Sequence, residues 1–353
     1  MLRQLARLGR GVPVAGGSGI AIAVYANERD EPLRAREAGY EGVACVDDAA
    51  RALELYCDLW EATRLPWVLR WCEGLLDFVL AMQEADGRWL NFILDWQGTP
   101  NRGGRTSRPG GDFWQARALL ALARASQVLT DPRIDAALRA GLPHVVTAVD
   151  VPTDVRALHL RTALVLSEGG NAHGLDGLLR PWTDELLRCR AGGVLMNSPD
   201  ERNHPHLWGH IQEGVLADVG VHLGRPDLLD VARRSAELVF GAAVRSGFDL
   251  PRTQPYDVAS AVHVLSRLAA VSGEPEYAER ATAARAWFDG RNPAGQPVYD
   301  REGGRVRDGV DGVRVSTHSG AEANVVGAQA LFDDAVTVAR RLTDAEALPS
   351  SLR

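Results

Sequence analysis

Two neighbouring carboxylates, Asp47 and Asp48, open an apolar run in which Ala49, Ala52, Leu53, Tyr56 and Leu59 recur at helical spacing. Adjacent acids held in different surroundings can divide the work of giving and taking a proton. Acids also favour the first turn of a helix, where they cap free N–H groups and face the positive end of the dipole. One Asp would suffice for that. Neighbouring helical residues point about 100° apart, so one can cap while the other faces elsewhere. Arg51 stands within reach of both. Acids recur where later apolar runs begin, at Asp112, Asp257 and Glu322, with Glu213 three residues after His210.

These residues need a frame that gathers them. Helical periodicity runs from Val43 to about Arg341, with turns marked by Pro, Gly and Asp. The helices read as pairs: Val43–Thr63 with Pro66–Glu84, Phe113–Val128 with a run after Asp131-Pro132, and Asp150–Leu166 with Leu175–Cys189. Gly209–Leu223 with Pro226–Phe240 and Tyr256–Ser272 with Glu276–Asp289 follow, then a last helix from Gly320 to Phe332. Asp48, Asp112, Asp154, His210, Asp257 and Glu322 fall 42–65 residues apart, a hairpin repeat with unequal linkers. Six such pairs can close into a ring whose inner-helix N-termini meet at one end. Long loops at 88–111, 192–207 and 291–319 would rim that end; the second carries Asn197, Asp200, Asn203, His204 and His206. The expected organisation is an arm over 1–41, a helical ring over 42–341 and a loose tail over 342–353.

Composition narrows the chemistry. The chain has 353 residues, 46% of them hydrophobic, and a formal charge of −7, which gives no basic surface for nucleic acid. All 39 basic residues are Arg, so Schiff-base chemistry and a lysine-dependent phosphate loop are excluded. Cys45, Cys57, Cys72 and Cys189 form no C-x-x-C pair, which fits a reducing, cytoplasmic setting. Arg3, Arg7 and Arg10 precede the apolar Ile20–Val24, but Gly16, Gly17 and Gly19 interrupt the stretch, so it reads as an ordered arm, not a leader. No run is long enough to span a membrane. His206 and His210 have the i,i+4 spacing of two metal ligands, yet no H-E-x-x-H accompanies them. They read instead as hydrogen-bonding groups, as does His318, and no metal or cofactor is expected.

The stretch Gly42-Val-Ala-Cys-Val-Asp47-Asp48-Ala-Ala-Arg51-Ala-Leu53 is followed by Asp86-Gly-Arg-Trp-Leu-Asn91-Phe92 and Gly111-Asp112-Phe-Trp-Gln-Ala-Arg117-Ala-Leu119. Trp287-Phe-Asp-Gly-Arg291-Asn292, Pro297-Val-Tyr299-Asp300 and Ser319-Gly-Ala-Glu322 come later, in the same order. Together they resemble the six-hairpin glycosidase-like superfamily. More narrowly they are similar to a bacterial domain found fused or adjacent to glycosyltransferases, with Ala49 where that domain carries Asn. The resemblance implies an all-α fold, an (α/α)6 barrel or toroid, acting on carbohydrate, with a glycosyltransferase as a possible partner.

Glycoside hydrolysis commonly uses two carboxylates about the scissile bond. Asp48 and Asp112 are the expected acid/base pair, Asp47 positions substrate or water, and Glu322 is the next candidate. Sugar rings stack on aromatic faces, for which Trp89, Trp96, Trp114, Trp208 and Tyr256 are placed in or beside the loops. Arg51, Asn91, Arg102, Arg105, Asp257, Arg291 and Asn292 are candidates for reading hydroxyls, with His206, His210 and His318. Trp60, Trp67, Trp71 and Trp287 lie inside helical runs and read as core. The alternatives are a sugar epimerase using His as acid and base, a polysaccharide lyase to which Tyr25, Tyr40 and Tyr299 would matter, and a glycan-binding module without catalysis.

Overall fold

The computed structural model describes residues 1–33, 41–198 and 204–352. Tyr40, Asp200 and Asn203 lie outside the described residues. The fold class is all-α, as the periodicity implied, and strands are few and short.

The chain divides into two compact units. The first comprises residues 1–148, 300–307 and 317–353; the second comprises residues 149–299 and 308–316. In chain order the first unit begins with α1 (Leu2–Leu8), β1 (Gly9–Val14), β2 (Gly17–Ile22), β3 (Ala44–Cys45), α2 (Val46–Thr63), α3 (Pro66–Ala81), β4 (Phe92–Ile93), α4 (Asp112–Val128) and α5 (Pro132–Val146). The second unit holds α6 (Thr153–Glu168), α7 (Leu179–Arg188), α8 (Gln212–Leu223), α9 (Pro226–Arg245), α10 (Pro255–Ser272) and α11 (Pro275–Arg285). The first unit resumes with α12 (Ala321–Ala330), α13 (Phe332–Ala339) and α14 (Asp344–Ala347).

Within the first unit α2 is the central helix, packed by α3, α4, α12 and α13. Its small residues Ala49, Ala50 and Ala52 are fully buried, which lets neighbours approach closely. It starts three residues later than its periodicity suggests. Ala44 and Cys45 pair with Ile93 and Phe92 as strand, and the Val46 N–H donates to the Asn91 carbonyl. The N-terminal arm is a helix followed by an antiparallel hairpin, laid on α3. Contact there is tight: a Cβ at Gly74 would meet the Ile20 side chain at 2.4 Å.

The tail expected to be loose is not. Thr343 and Glu346 form a capping box that starts α14, and the buried Trp71 indole donates to the Ala347 carbonyl at 2.8 Å. Ala347 and Leu348 are buried, so apolar contact holds the segment down.

In the second unit α6, α8 and α10 pack side by side, and α7, α9 and α11 return as their hairpin partners. Pro at the first turn of α9, α10 and α11 sets each entry, where no N–H is needed. Among the described residues, no helix is long and apolar enough to cross a membrane.

Candidate active site

The start of α2 is capped without its acids. Cys45 occupies the N-cap and its Sγ accepts from the Asp48 N–H at 3.4 Å. The Asn91 side-chain oxygen accepts from the Asp47 N–H at 3.1 Å, while its amide donates to the Thr106 carbonyl. Both carboxylates are thereby released from capping; arginines hold both, and the Cys45 thiol also donates to Asp48 Oδ2 at 3.4 Å.

Arg51, one turn along α2, donates through Nη2 to Asp48 at 2.6 Å and to Asp47 at 3.4 Å. Its Nη1 donates to Glu322 at 2.8 Å from the first turn of α12. Arg117 of α4 donates to Asp47. Three carboxylates thus share two guanidinium groups. Arg51, Arg117 and Asp48 are almost wholly buried, whereas the Asp47 and Glu322 side chains are 21% and 42% exposed. Asp47 Oδ1 has no hydrogen-bond partner.

The two neighbours differ in proton affinity. Burial pushes the Asp48 carboxyl up, Arg51 opposes it, and the charges of Glu322 and Asp47 add to the rise; the outcome is about 6. Burial also raises Asp47, but Arg117 and Arg51 outweigh it and hold the group below its ordinary value. One acid therefore keeps its proton up to about pH 6, where its neighbour is already a carboxylate.

Several expected contacts are redistributed. Asp112 does not join the pair: it is exposed, and Arg108 lies 3.7 Å away. The five residues from Asp112 to Arg117 turn the helix by about 140°, so α4 presents a guanidinium to Asp47 instead of an acid. Trp89 is fully buried, its indole donating to the Val79 carbonyl at 2.9 Å, so it is core and not rim. The half-buried Trp114 donates to the Trp89 and Arg108 carbonyls. Asn91 spends both side-chain atoms on positioning α2 and its loop. Asp257 is spent as well, accepting the Gln254 N–H in a capping box. Asn292 ties down its own loop through the Trp287 and Gln296 carbonyls. Arg291 lines a surface groove of about 560 Å³ with Arg245 and Ser246. His318 is exposed beside α12.

The second unit gathers a different cluster. His210 is fully buried, with Nδ1 3.1 Å from Asn197 Oδ1 and Nε2 2.9 Å from Glu213 Oε1. Ser235 also donates to that carboxylate oxygen, at 2.5 Å. His206 lies within 3.1 Å of the Asn197 amide and stacks on Trp208, whose ring centroid is 6.4 Å from that of Tyr256. Glu213→Ala would leave the His210 and Ser235 donors unmet in a dry interior. A loss of roughly 2 kcal/mol is expected, read as a lower midpoint in thermal unfolding.

Arg117 and Asn197 are the residues whose roles the sequence did not assign. A signal for the first was present: Ala-Arg-Ala-Leu occurs at 50–53 and again at 116–119, which puts Arg51 and Arg117 at equivalent repeat positions. Asn197 stood among the polar residues of the 192–207 loop, but no spacing paired it with His210.

No family model matches the chain, and no curated protein sequence matches it. Solved structures do. A sugar epimerase from a ruminal bacterium superposes with a TM-score of 0.67 at 13% identity, covering 92% of this chain and 93% of its own. A D-mannose isomerase gives 0.69 at 8% identity over 95% of each chain. A GH76 alpha-mannanase from Bacteroides thetaiotaomicron gives 0.60 at 11% identity, over 86% of this chain and 89% of its own. Likeness at such identities shows the fold alone: an all-α (α/α)6 fold, shared with these structures.

Proposed function

We propose that this chain is a carbohydrate-active enzyme, a glycoside hydrolase whose working pair is Asp47 and Asp48 rather than Asp48 and Asp112. The observation that carries it is the split between adjacent acids, one protonated up to about 6 and one held ionised by Arg117 and Arg51. Their separation supports a particular course. The Asp48 and Asp47 oxygens that touch Arg51 Nη2 at 2.6 and 3.4 Å lie within about 6 Å of each other. Retaining enzymes hold their carboxyls about 5–5.5 Å apart, and inverting ones about 6.5–9.5 Å. Asp47 then attacks the anomeric carbon while Asp48 gives its proton to the leaving oxygen. In the second half, Asp48 takes a proton from water, and that water displaces Asp47. Glu322, the most exposed of the three, meets substrate hydroxyls.

The test is a panel of α- and β-linked oligosaccharides followed by NMR of the first-formed anomer. A 2-deoxy-2-fluoro glycoside is expected to add its sugar mass to a peptide containing Asp47. An inverted product, or label elsewhere, would remove this mechanism. The four free thiols support a reducing compartment, and the motif resemblance supports work beside a glycosyltransferase.

One observation favours a second reading. His206, 30% exposed, is an imidazole held by the Asp154 carboxylate and the Asn197 amide, a build suited to proton transfer at a sugar carbon. Deuterium entering a sugar C–H position from solvent, without bond cleavage, would select epimerisation instead.

A further inference from the structure

We propose that the Trp208 indole of the second unit is a stacking platform for the C–H face of a saccharide ring. This rests on the saccharide reading above and adds a binding locus to it. Among the described residues, Trp208 is the aromatic member of the exposed large hydrophobics, at 37% exposure; the others are Leu and Val.

Its plane is fixed from behind. The His206 imidazole lies parallel to it, with centroids 3.8 Å apart and planes 7° from coincidence. His206 is itself pinned: Nδ1 is 2.9 Å from the Trp208 carbonyl, and Nε2 is 3.4 Å from the buried Asp154 carboxylate. Asn197 reaches the same imidazole and also His210, which ties the platform to the buried His210–Glu213 pair. Tyr256 stands beside the indole, with ring centroids 6.4 Å apart and planes tilted at 44°. The turn between them requires glycine: Gly209 has φ +68°, and a Cβ there would stand 3.0 Å from the Tyr256 hydroxyl. A rigid aromatic surface loses little freedom on binding, and its negative face attracts polarised C–H groups. That selects a pyranose ring over an acyclic polyol, which offers hydroxyls but no flat apolar face.

The experiment labels the nine tryptophans with 5-fluorotryptophan; the resonance missing from Trp208→Phe identifies Trp208. Cellobiose, 1,6-mannobiose and sorbitol are titrated into the Asp47→Asn variant. At least one disaccharide is expected to shift that resonance saturably, and sorbitol is not. By calorimetry Trp208→Ala should weaken binding about tenfold or more, and Trp208→Phe by about threefold or less. Absence of a saturable shift, an equal shift with sorbitol, or unchanged affinity in Trp208→Ala would overturn the platform. Hydrolysis by wild type with a silent Trp208 rejects the platform and leaves the Asp47–Asp48 reading; a Trp208 shift without hydrolysis in wild type does the converse.

Discussion

Asp48→Asn is expected to lower kcat on a cleavable saccharide by about 10²–10⁴-fold, the usual contribution of a positioned acid. Asp47→Asn should do at least as much, because it removes the attacking carboxylate. The pH profile separates the two roles. Asp48 must be protonated to act, and its folded value is about 6, raised from 3.8. Wild-type activity should therefore fall as pH rises through about 6, and Asp48→Asn should lack that limb. The same shift has a sign for stability. The folded state binds this proton more tightly than the unfolded chain, so the contribution is full below about 4 and lost as pH climbs past about 6. A wild-type rate that rises across pH 6, or a limb unchanged in Asp48→Asn, would contradict the assignment.

The largest effect on stability is expected at Trp89. Its indole is fully buried and donates to Val79, and its backbone N–H donates to Gln115 at 3.0 Å. Gly141 lies against the ring, where a Cβ would come within 2.4 Å. Trp89→Ala should cost about 3–5 kcal/mol, chiefly through the cavity, since the Val79 carbonyl keeps the Met82 N–H at 3.3 Å. Urea unfolding followed by far-UV circular dichroism would register it as a lower midpoint. KM of the folded variant should stay near wild type; a KM rise with intact stability would return Trp89 to the substrate surface.

Why Trp89 misleads is instructive. Asp86-Gly87-Arg88 announces a turn, and residues after a turn in a long linker look exposed. The chain instead folds back, with the Leu90 N–H bonded to the Met82 carbonyl, and drives the indole beneath α4 and α5. The helices themselves were readable because period 3.6 and initiating prolines are local signals. Asp257 was equally local: Gln254 three residues before it completes a capping box. The charge network was not local. Arg117 meets Asp47 across 70 residues, and Arg51 meets Glu322 across 271. Spacing identified the acids, but only the packing of α4 and α12 against α2 decided which base each would meet.

Arg51 grips Asp48 and Glu322 with separate nitrogens of one planar fork. A hydroxyl that draws Glu322 away removes a repelling charge from Asp48 and leaves the fork more fully to it. Both changes loosen the Asp48 proton. On the proposed assignment, occupancy of the exposed carboxylate would strengthen the acid at the hidden one just when something has arrived to receive its proton.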